Sequence, residues 1–430
     1  MKIPPVKGTR DFYPSDMAVR NWIIDGWKKV SARNGFEEYD GPIFEYLKMF
    51  QVKSGDEIVE QLFSLQDRGG RDLALRPEMT PTLARMVNQR INSLPKPIKW
   101  FSVPRLFRAE RPQKGRLREF FQWNIDIIGV DDVLADAEVI FTTINYLREI
   151  GLSERDVRVK ISSRKLLASA LRKIGIPENQ LGSLYALLDK YRKMPTESFE
   201  KILFEQVQDL EITNKIMSFM ATKRFGGLVE IVGTNQKVDE AIKELERLQD
   251  WLMRDEVWHY CDFDPSIVRG LAYYTGVVFE VHDTTSDLRA ICGGGRYDNL
   301  LKDFGGPSIP ATGMGMGDCV LEILLREKDL LEKQLKTSVL DFFVAYTDDC
   351  HKNEAVNVTM KLRSKGFVAN FSYKATKLGK QLKEASEKNA EKCVIIGLDE
   401  LQKDEVKIKK MATRKEDIVN VYEFLSGLES

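Results

Sequence analysis

Glu119-Phe-Phe-Gln-Trp-Asn-Ile-Asp-Ile-Ile128 is a ten-residue run that reads as a single β-strand. Side chains on a strand alternate faces with a period of two. Phe121, Trp123, Ile125 and Ile127 then form one wholly apolar face, and Gln122, Asn124 and Asp126 fall on the other. The apolar face requires a packed layer on that side of a sheet. The polar row has two readings. It faces water, as on many antiparallel strands. Alternatively it binds a ligand, because a carboxylate beside two amides suits hydrogen-bonded recognition.

Working outward, residues 100–108 read as a second strand. The loop between the two strands contains Pro112 and Gly115, which predicts an antiparallel hairpin. Residues 105–118 hold Arg105, Arg108, Arg111, Lys114, Arg116 and Arg118 against one acid, Glu110. Arginine makes bidentate phosphate contacts, and Phe120 follows directly after the loop. The hairpin therefore suits a nucleotide triphosphate with a stacked base. The chain has no GxxxxGK[ST] pattern and no GxGxxG strand–helix turn, so such a site is neither a P-loop nor a Rossmann site. Leu75-Arg-Pro-Glu-Met-Thr80 adds a turn stiffened by proline, from which Glu78 can point into the same site.

Arg269-Gly-Leu-Ala-Tyr-Tyr-Thr-Gly276 stands at the mouth of a predicted strand, residues 273–281. The arginine can fork a carboxylate or phosphate, and each phenol can donate one hydrogen bond. An ion-paired arginine beside two half-buried tyrosines is the other reading of this stretch.

With 430 residues the chain is too long for one hydrophobic core, and two or three domains are expected. No apolar run reaches transmembrane length, and the N-terminus lacks the apolar core of a signal peptide. Five scattered cysteines with no CxxC pair fit reduced thiols in a cytoplasmic protein and argue against a zinc site. Only three histidines, His259, His282 and His351, leave little material for a histidine-centred triad or metal site. Basic and acidic residues balance at 65 each. Residues 355–383, however, contain Lys361, Arg363, Lys365, Lys374, Lys377, Lys380 and Lys383 and no acid. A run of one sign this long points to a polyanion or to a solvated lysine-rich face.

Along the chain, residues 15–35 read as a helix capped by Ser15, residues 135–150 as another, and residues 157–162 as a strand. Residues 164–254 read as leucine-rich amphipathic helices broken at Pro177 and Pro195, a helical insertion. Gly293-Gly-Gly-Arg-Tyr-Asp298 reads as a turn or close-approach loop. Gly313-Met-Gly-Met-Gly317 leads into a helix through Leu325. From residue 338 the chain restarts as alternating strands and helices, with a closing helix over residues 418–425.

Taken together, these stretches closely resemble class II aminoacyl-tRNA synthetases, specifically the histidyl-tRNA synthetase family, over nearly the whole chain. Lys7-Gly-Thr-Arg-Asp11 resembles the N-terminal signature of that family, and residues 35–45 with Pro42 resemble motif 1, the dimer element. Residues 107–116 with Arg118-Glu-Phe-Phe-Gln122 resemble motif 2, and residues 269–274 the histidine-binding signature. The implied fold is α+β: an antiparallel-sheet catalytic core over residues 1–163 and 255–330, a helical insertion over 164–254, and an anticodon-binding α/β domain over 338–430.

The resemblance also implies roles. Glu78, Thr80 and Gln122 match residues that hold the histidine amino group, and Asp126 and Tyr274, with Tyr273 beside them, match those that read the imidazole. Arg108 matches the α-phosphate arginine, Glu110 and Phe120 the adenine contacts, and Arg116 a phosphate contact. Arg269 matches the arginine that bridges the substrate carboxylate and the α-phosphate, so Arg269 and Arg108 are the implied catalytic pair. Gln113 lies where the family meets the tRNA acceptor end, and Lys374, Lys377 and Lys380 lie in the basic segment of the last domain. The implied reactants are ATP with Mg2+, L-histidine and the tRNA for histidine. No permanently bound cofactor or metal is implied, and a cytoplasmic homodimer off the membrane is expected.

Two positions depart from the family pattern. Ala272 stands where the family has Asp, and Val320 replaces the motif 3 arginine that stacks on adenine. A non-catalytic paralogue that regulates ATP phosphoribosyltransferase in histidine biosynthesis is the alternative. Such proteins are expected to lose the catalytic arginines and the C-terminal domain, and this chain keeps Arg108, Arg269 and that domain.

Overall fold

The strand read first is the spine of the larger unit. The computed structural model describes residues 3–51, 61–269, 273–285, 288–331, 335 and 340–428. The chain divides into two compact units, residues 1–333 and 334–430.

The strands of the first unit are β1 (Glu37–Glu38), β2 (Phe44–Tyr46), β3 (Ser64–Gln66), β4 (Asp72–Leu75), β5 (Ile98–Ser102), β6 (Arg105–Phe107), β7 (Glu119–Ile128), β8 (Val157–Ser163), β9 (Cys261–Phe263), β10 (Val277–Asp283), β11 (Cys292–Arg296) and β12 (Ala311–Gly317). Nine of them form one sheet in the order β1-β5-β7-β12-β11-β10-β8-β9, with β6 also on β7. All its pairings are antiparallel except β1 with β5 and β8 with β9. The predicted hairpin forms: Trp100 pairs with Asp126 and Arg105 with Phe121. Pro104, which lacks an N–H, splits its first strand in two, and the Gln122 N–H donates to its carbonyl at 3.2 Å. β2, β4 and β3 make a separate small sheet, which the sequence reading did not anticipate.

The apolar face of β7 is covered by helices Pro14–Arg33 and Leu134–Glu149. Trp123 stacks on Trp27 with centroids 6.3 Å apart, meets Tyr146 at 5.4 Å, and donates its indole N–H to Ser31 at 2.8 Å. The first helix starts one residue before the expected Ser15. Pro14 occupies its first turn, and the Tyr13 N–H donates to the Asp16 carboxylate at 3.1 Å. A carboxylate in the first turn completes the cap better than the hydroxyl at Ser15.

The polar face is not solvated. Asn124 and Asp126 are 6% and 4% exposed, under a layer built from Leu83, Val87, Tyr273, Tyr274, Tyr297, Leu300 and Leu301. The water-facing reading of that row therefore fails. Residues 293–296 are strand, not turn, and residues 313–317 are strand before the helix Asp318–Glu327 begins. Tyr273 and Tyr274 lie in the loop before β10, not inside it.

Residues 164–254 are helical as expected, in Arg164–Lys173, Leu181–Leu188, Thr196–Val207, Leu210–Ala221, Gly226–Val232 and Gln236–Arg254. Pro195 sits at the N-cap of the third of these, a position where its missing N–H costs nothing.

The second unit is a five-stranded sheet in the order β14-β13-β15-β16-β17. Its strands are β13 (Leu340–Tyr346), β14 (Ala369–Phe371), β15 (Ala390–Ile396), β16 (Glu405–Lys410) and β17 (Glu416–Asn420). β13 is parallel to both neighbours, and the crossovers are helices Lys352–Ser364 and Leu378–Glu387. The closing helix is shorter than expected, Val421–Ser426, because β17 takes its first residues to complete the sheet. Lys374, Lys377 and Lys380 are exposed where β14 leads into the helix Leu378–Glu387. None of them forms an ion pair with a described residue.

Candidate active site

The site face is paved with glycine. Gly313, Gly315 and Gly317 of β12 pair with Asp126, Asn124 and Gln122 of β7, and Gly295 and Gly293 of β11 pair with Gly313 and Gly315. A β-carbon on Gly313 would overlap the Asp126 carboxylate. One on Gly315 would stand 2.8 Å from the Gln122 amide, and one on Gly293 would overlap the Arg269 guanidinium. The glycines thus let three polar side chains lie flat on the floor of the site. The Tyr274 ring lies over Gly295, one strand (about 4.8 Å) from the Asp126 carboxylate over Gly313.

Asp126 accepts a short hydrogen bond from the Tyr297 hydroxyl. Burial pushes its carboxyl up to about 7, and the Tyr297 hydroxyl works against that shift. Tyr297 is the candidate site residue that sequence reading missed. It follows β11, and the glycines of β11 gave no apolar period to reveal a strand. Counted by twos from Gly293 and Gly295, Tyr297 falls on the site face.

Glu78 is 5% exposed and accepts from the Tyr273 hydroxyl at 3.2 Å. Tyr273 also interacts with Thr80, so one phenol links both residues of the Leu75–Thr80 turn. The turn is held by Arg76, whose guanidinium donates to Arg105 O at 3.0 Å and to Asp40 at 2.8 Å.

Arg269 adopts a left-handed backbone, φ 57. Its guanidinium reaches Glu280 at 3.2 Å and stands 5.4 Å from the centre of the Tyr274 ring. Its Nε is buried without a hydrogen-bond partner among the described residues. A cavity of about 690 Å³ opens beside Arg269, Tyr274 and Thr275 and is walled on its far side by Arg164, Tyr185 and Lys237.

The hairpin residues fall into three groups. Arg108 donates to Pro77 O at 3.0 Å, beside Glu78, and stacks over Phe120 at 5.3 Å. Glu110 and Arg116 are paired with each other. Gln113 is at the exposed tip, where its amide oxygen accepts from Arg289 at 2.9 Å. Ala272 lies outside the described residues.

The face therefore offers a buried acid with a phenol at one point, a second buried acid with a phenol at another, and a guanidinium beside them. Two arginines and an aromatic ring lie on the adjoining hairpin. That set complements a small zwitterion with a ring N–H, next to a nucleotide.

Comparison with known proteins agrees with this chemistry. The histidyl-tRNA synthetase family model matches residues 8–317, and an anticodon-binding domain model matches residues 341–430. The chain is 40% identical over 412 residues to the chloroplastic/mitochondrial histidine–tRNA ligase of Arabidopsis thaliana, covering 96% of this chain and 84% of that protein. In fold it is similar to a histidyl-tRNA synthetase from a Nostoc species, with a TM-score of 0.84, 24% identity, and coverage of 99% of this chain and 98% of that one. An ATP phosphoribosyltransferase regulatory subunit/histidyl-tRNA synthetase from Bacillus halodurans shares the fold as well, with a TM-score of 0.75, 24% identity, and coverage of 93% of this chain and all of that one. With its family model spanning most of the larger unit, this chain belongs to the histidyl-tRNA synthetase family.

Proposed function

We propose that the chain activates histidine with ATP and transfers the histidyl group to the 3' end of its tRNA. The observation that carries this is the buried Asp126 carboxylate on a glycine floor, facing Tyr274 and held by Tyr297. A carboxylate this buried needs an N–H partner from the ligand, which an imidazole provides.

In the first step a carboxylate oxygen of histidine attacks the α-phosphorus of ATP and pyrophosphate leaves. In the second a ribose hydroxyl of the tRNA attacks the acyl carbon and AMP leaves. Neither step needs a protein nucleophile. Positioning and stabilisation of phosphate charge suffice. Glu78, Thr80 and Gln122 hold the amino group; Asp126, Tyr273 and Tyr274 read the ring. Arg269 and Arg108 meet the carboxylate and α-phosphate. Phe120 and Glu110 receive the adenine, and Arg116 exchanges Glu110 for phosphate. Among the described residues no three of His, Cys, Asp and Glu cluster as a metal site. Mg2+ would come with the ATP phosphates, which supply most of its oxygen ligands.

The acceptor end would approach along Gln113 and the cavity wall, where Arg164 stacks on Tyr185 at 4.2 Å. The separate unit would take the anticodon end. A homodimer is supported by Ile43, Phe44, Tyr46 and Leu65, large apolar side chains exposed on or beside the small sheet. No described helix is long and apolar enough to cross a membrane, and a cytoplasmic location is part of the proposal.

The direct test is histidine-dependent exchange of pyrophosphate into ATP, followed by charging of tRNA. Failure of exchange with a folded protein would favour the regulatory paralogue.

Tyr297→Phe should expose the role of Asp126 in a pH profile. The hydroxyl stabilises the ionised carboxylate, so its loss raises the Asp126 pKa further above 7. A lost hydrogen bond to a charge is worth about 1.5–3 kcal/mol, or one to two pH units. The histidine KM in exchange should rise roughly tenfold at pH 7 and approach the wild-type value near pH 9. An equal rise at both pH values would show that Tyr297 acts only through packing.

Replacing Lys374, Lys377 and Lys380 by alanine should weaken tRNA binding and flatten its salt dependence. Each lost phosphate contact removes about 0.7–0.9 from the slope of log K against log salt, so the triple variant should lose roughly 2. Pyrophosphate exchange should be unchanged. An unchanged slope would leave these lysines as a solvated surface.

A further inference from the structure

The tip of the motif 2 hairpin rests on an apolar shelf. Val320 is buried in the first turn of the helix Asp318–Glu327. A β-carbon on Gly115 would stand 3.0 Å from Val320 Cγ2 and 3.8 Å from Ile323 Cδ1. Valine therefore locks the tip onto the helix, and it cannot contribute charge to a nucleotide lying against the hairpin.

A different cation reaches the same tip. Arg289 lies in the loop before β11, and its guanidinium donates to the Gln113 amide oxygen at 2.9 Å, two residues from Gly115. The tip is closed by a bridge between Gln113 and Arg116, so Val320 and Arg289 touch one four-residue turn. The loop is anchored where the motif 3 strand ends, because Gly317 N–H donates to Ile291 O at 3.3 Å. Lys114 and Arg116 at the tip are paired with Glu327 and Glu110. Arg289 is exposed and forms no ion pair with a described residue. A guanidinium held only by a neutral amide is easily drawn to a better partner, and the face of a purine is one.

We propose that Arg289 supplies to the base of the bound nucleotide the cation that position 320 lacks. This rests on the reading that ATP occupies the hairpin. The role has moved from the motif 3 helix to the loop before β11, from the residue at Gly115 to the residue at Gln113 of the same turn.

The test is pyrophosphate exchange with ATP and histidine varied separately, alongside tRNA charging. Arg289→Ala, at an exposed position, should raise the ATP KM about tenfold and leave the histidine KM within twofold. Arg289→Lys should retain part of the effect. Placing Val320→Arg in the Arg289→Ala background should restore much of the ATP KM, since the charge returns to the same turn. An unchanged ATP KM in Arg289→Ala overturns the proposal. So does a defect confined to tRNA charging, which would mean that Arg289 acts through Gln113 on RNA. A wild-type chain that never exchanges pyrophosphate instead overturns the underlying assignment of ATP to the hairpin.

Discussion

Arg269→Ala is expected to slow histidyl-adenylate formation by two orders of magnitude or more, equivalent to about 3 kcal/mol of transition-state stabilisation. The guanidinium lies over Gly293, 3.2 Å from Glu280, with a buried Nε that has no hydrogen-bond partner among the described residues. Both reactants are anionic, and their charges must approach for the carboxylate to attack the α-phosphorus. A cation fixed between them lowers that barrier without reorganising at the moment of reaction. The backbone supports the assignment. An arginine at φ 57 carries a strain of roughly 1 kcal/mol, which the surrounding structure sustains while aiming the side chain. Arg269→Lys should recover little, because a single ammonium cannot make two directed contacts at once. Glu280 keeps His282 at 3.0 Å in both variants, and a thermal melt shows whether each remains folded at the assay temperature. The decisive measurement is single-turnover adenylate formation with saturating ATP and histidine. A near-normal rate would remove Arg269 from the chemistry.

How legible this site was depends on which residue type carried the signal. β7 could be read outright because its faces differ chemically, with four apolar side chains alternating with Gln122, Asn124 and Asp126. Whether the polar row met water or a ligand could not be read, since that depends on the layer containing Tyr273, Tyr274 and Tyr297. β11 and β12 were missed for a physical reason. Hydrophobic periodicity needs side chains, and Gly293 to Gly295 and Gly313 to Gly317 have few. At Gly313, Gly315 and Gly293 a side chain is excluded because Asp126, Gln122 and Arg269 lie where the β-carbons would be, and that closeness exists only after folding. Tyr297 was lost with β11. At the C-terminus, Glu416–Asn420 has too few apolar residues to announce a strand, and only its pairing with β16 makes it one. The contact of Arg289 with Gln113 lay beyond the sequence for the same reason: 176 positions separate them.

Asp126→Asn should abolish the discrimination on which the proposed specificity depends. A site built to hydrogen-bond a ligand N–H rejects analogues lacking it by about 10⁴, because the buried acceptor is otherwise left unpaired. In the wild type that acceptor is a carboxylate that burial pushes up to about 7. The sign of its effect on stability follows. A carboxyl whose folded pKa is raised favours the protonated fold, so its contribution is fully present below the unfolded value near 4 and is lost as pH rises through about 7. The ligand-free wild type should therefore lose stability across that window. Asp126→Asn has no charge to bury and should not, so above pH 7 the variant should be at least as stable as the wild type. A fall in its activity then cannot be ascribed to unfolding. The asparagine oxygen can still accept from Tyr297, which preserves the local geometry, but the charge that attracts the imidazole N–H is gone. Activation of histidine should drop by about 10² to 10⁴, the 3–5 kcal/mol typical of removing one partner from a buried charged contact. Preference for histidine over an isostere with a thiophene or phenyl ring should shrink from about 10⁴ toward 10. Pyrophosphate exchange at pH 8 with each amino acid, paired with thermal melts from pH 4 to 8, separates the two effects. Retained selectivity in a variant that folds would show that the ring is read elsewhere, with Tyr274 the first residue to test.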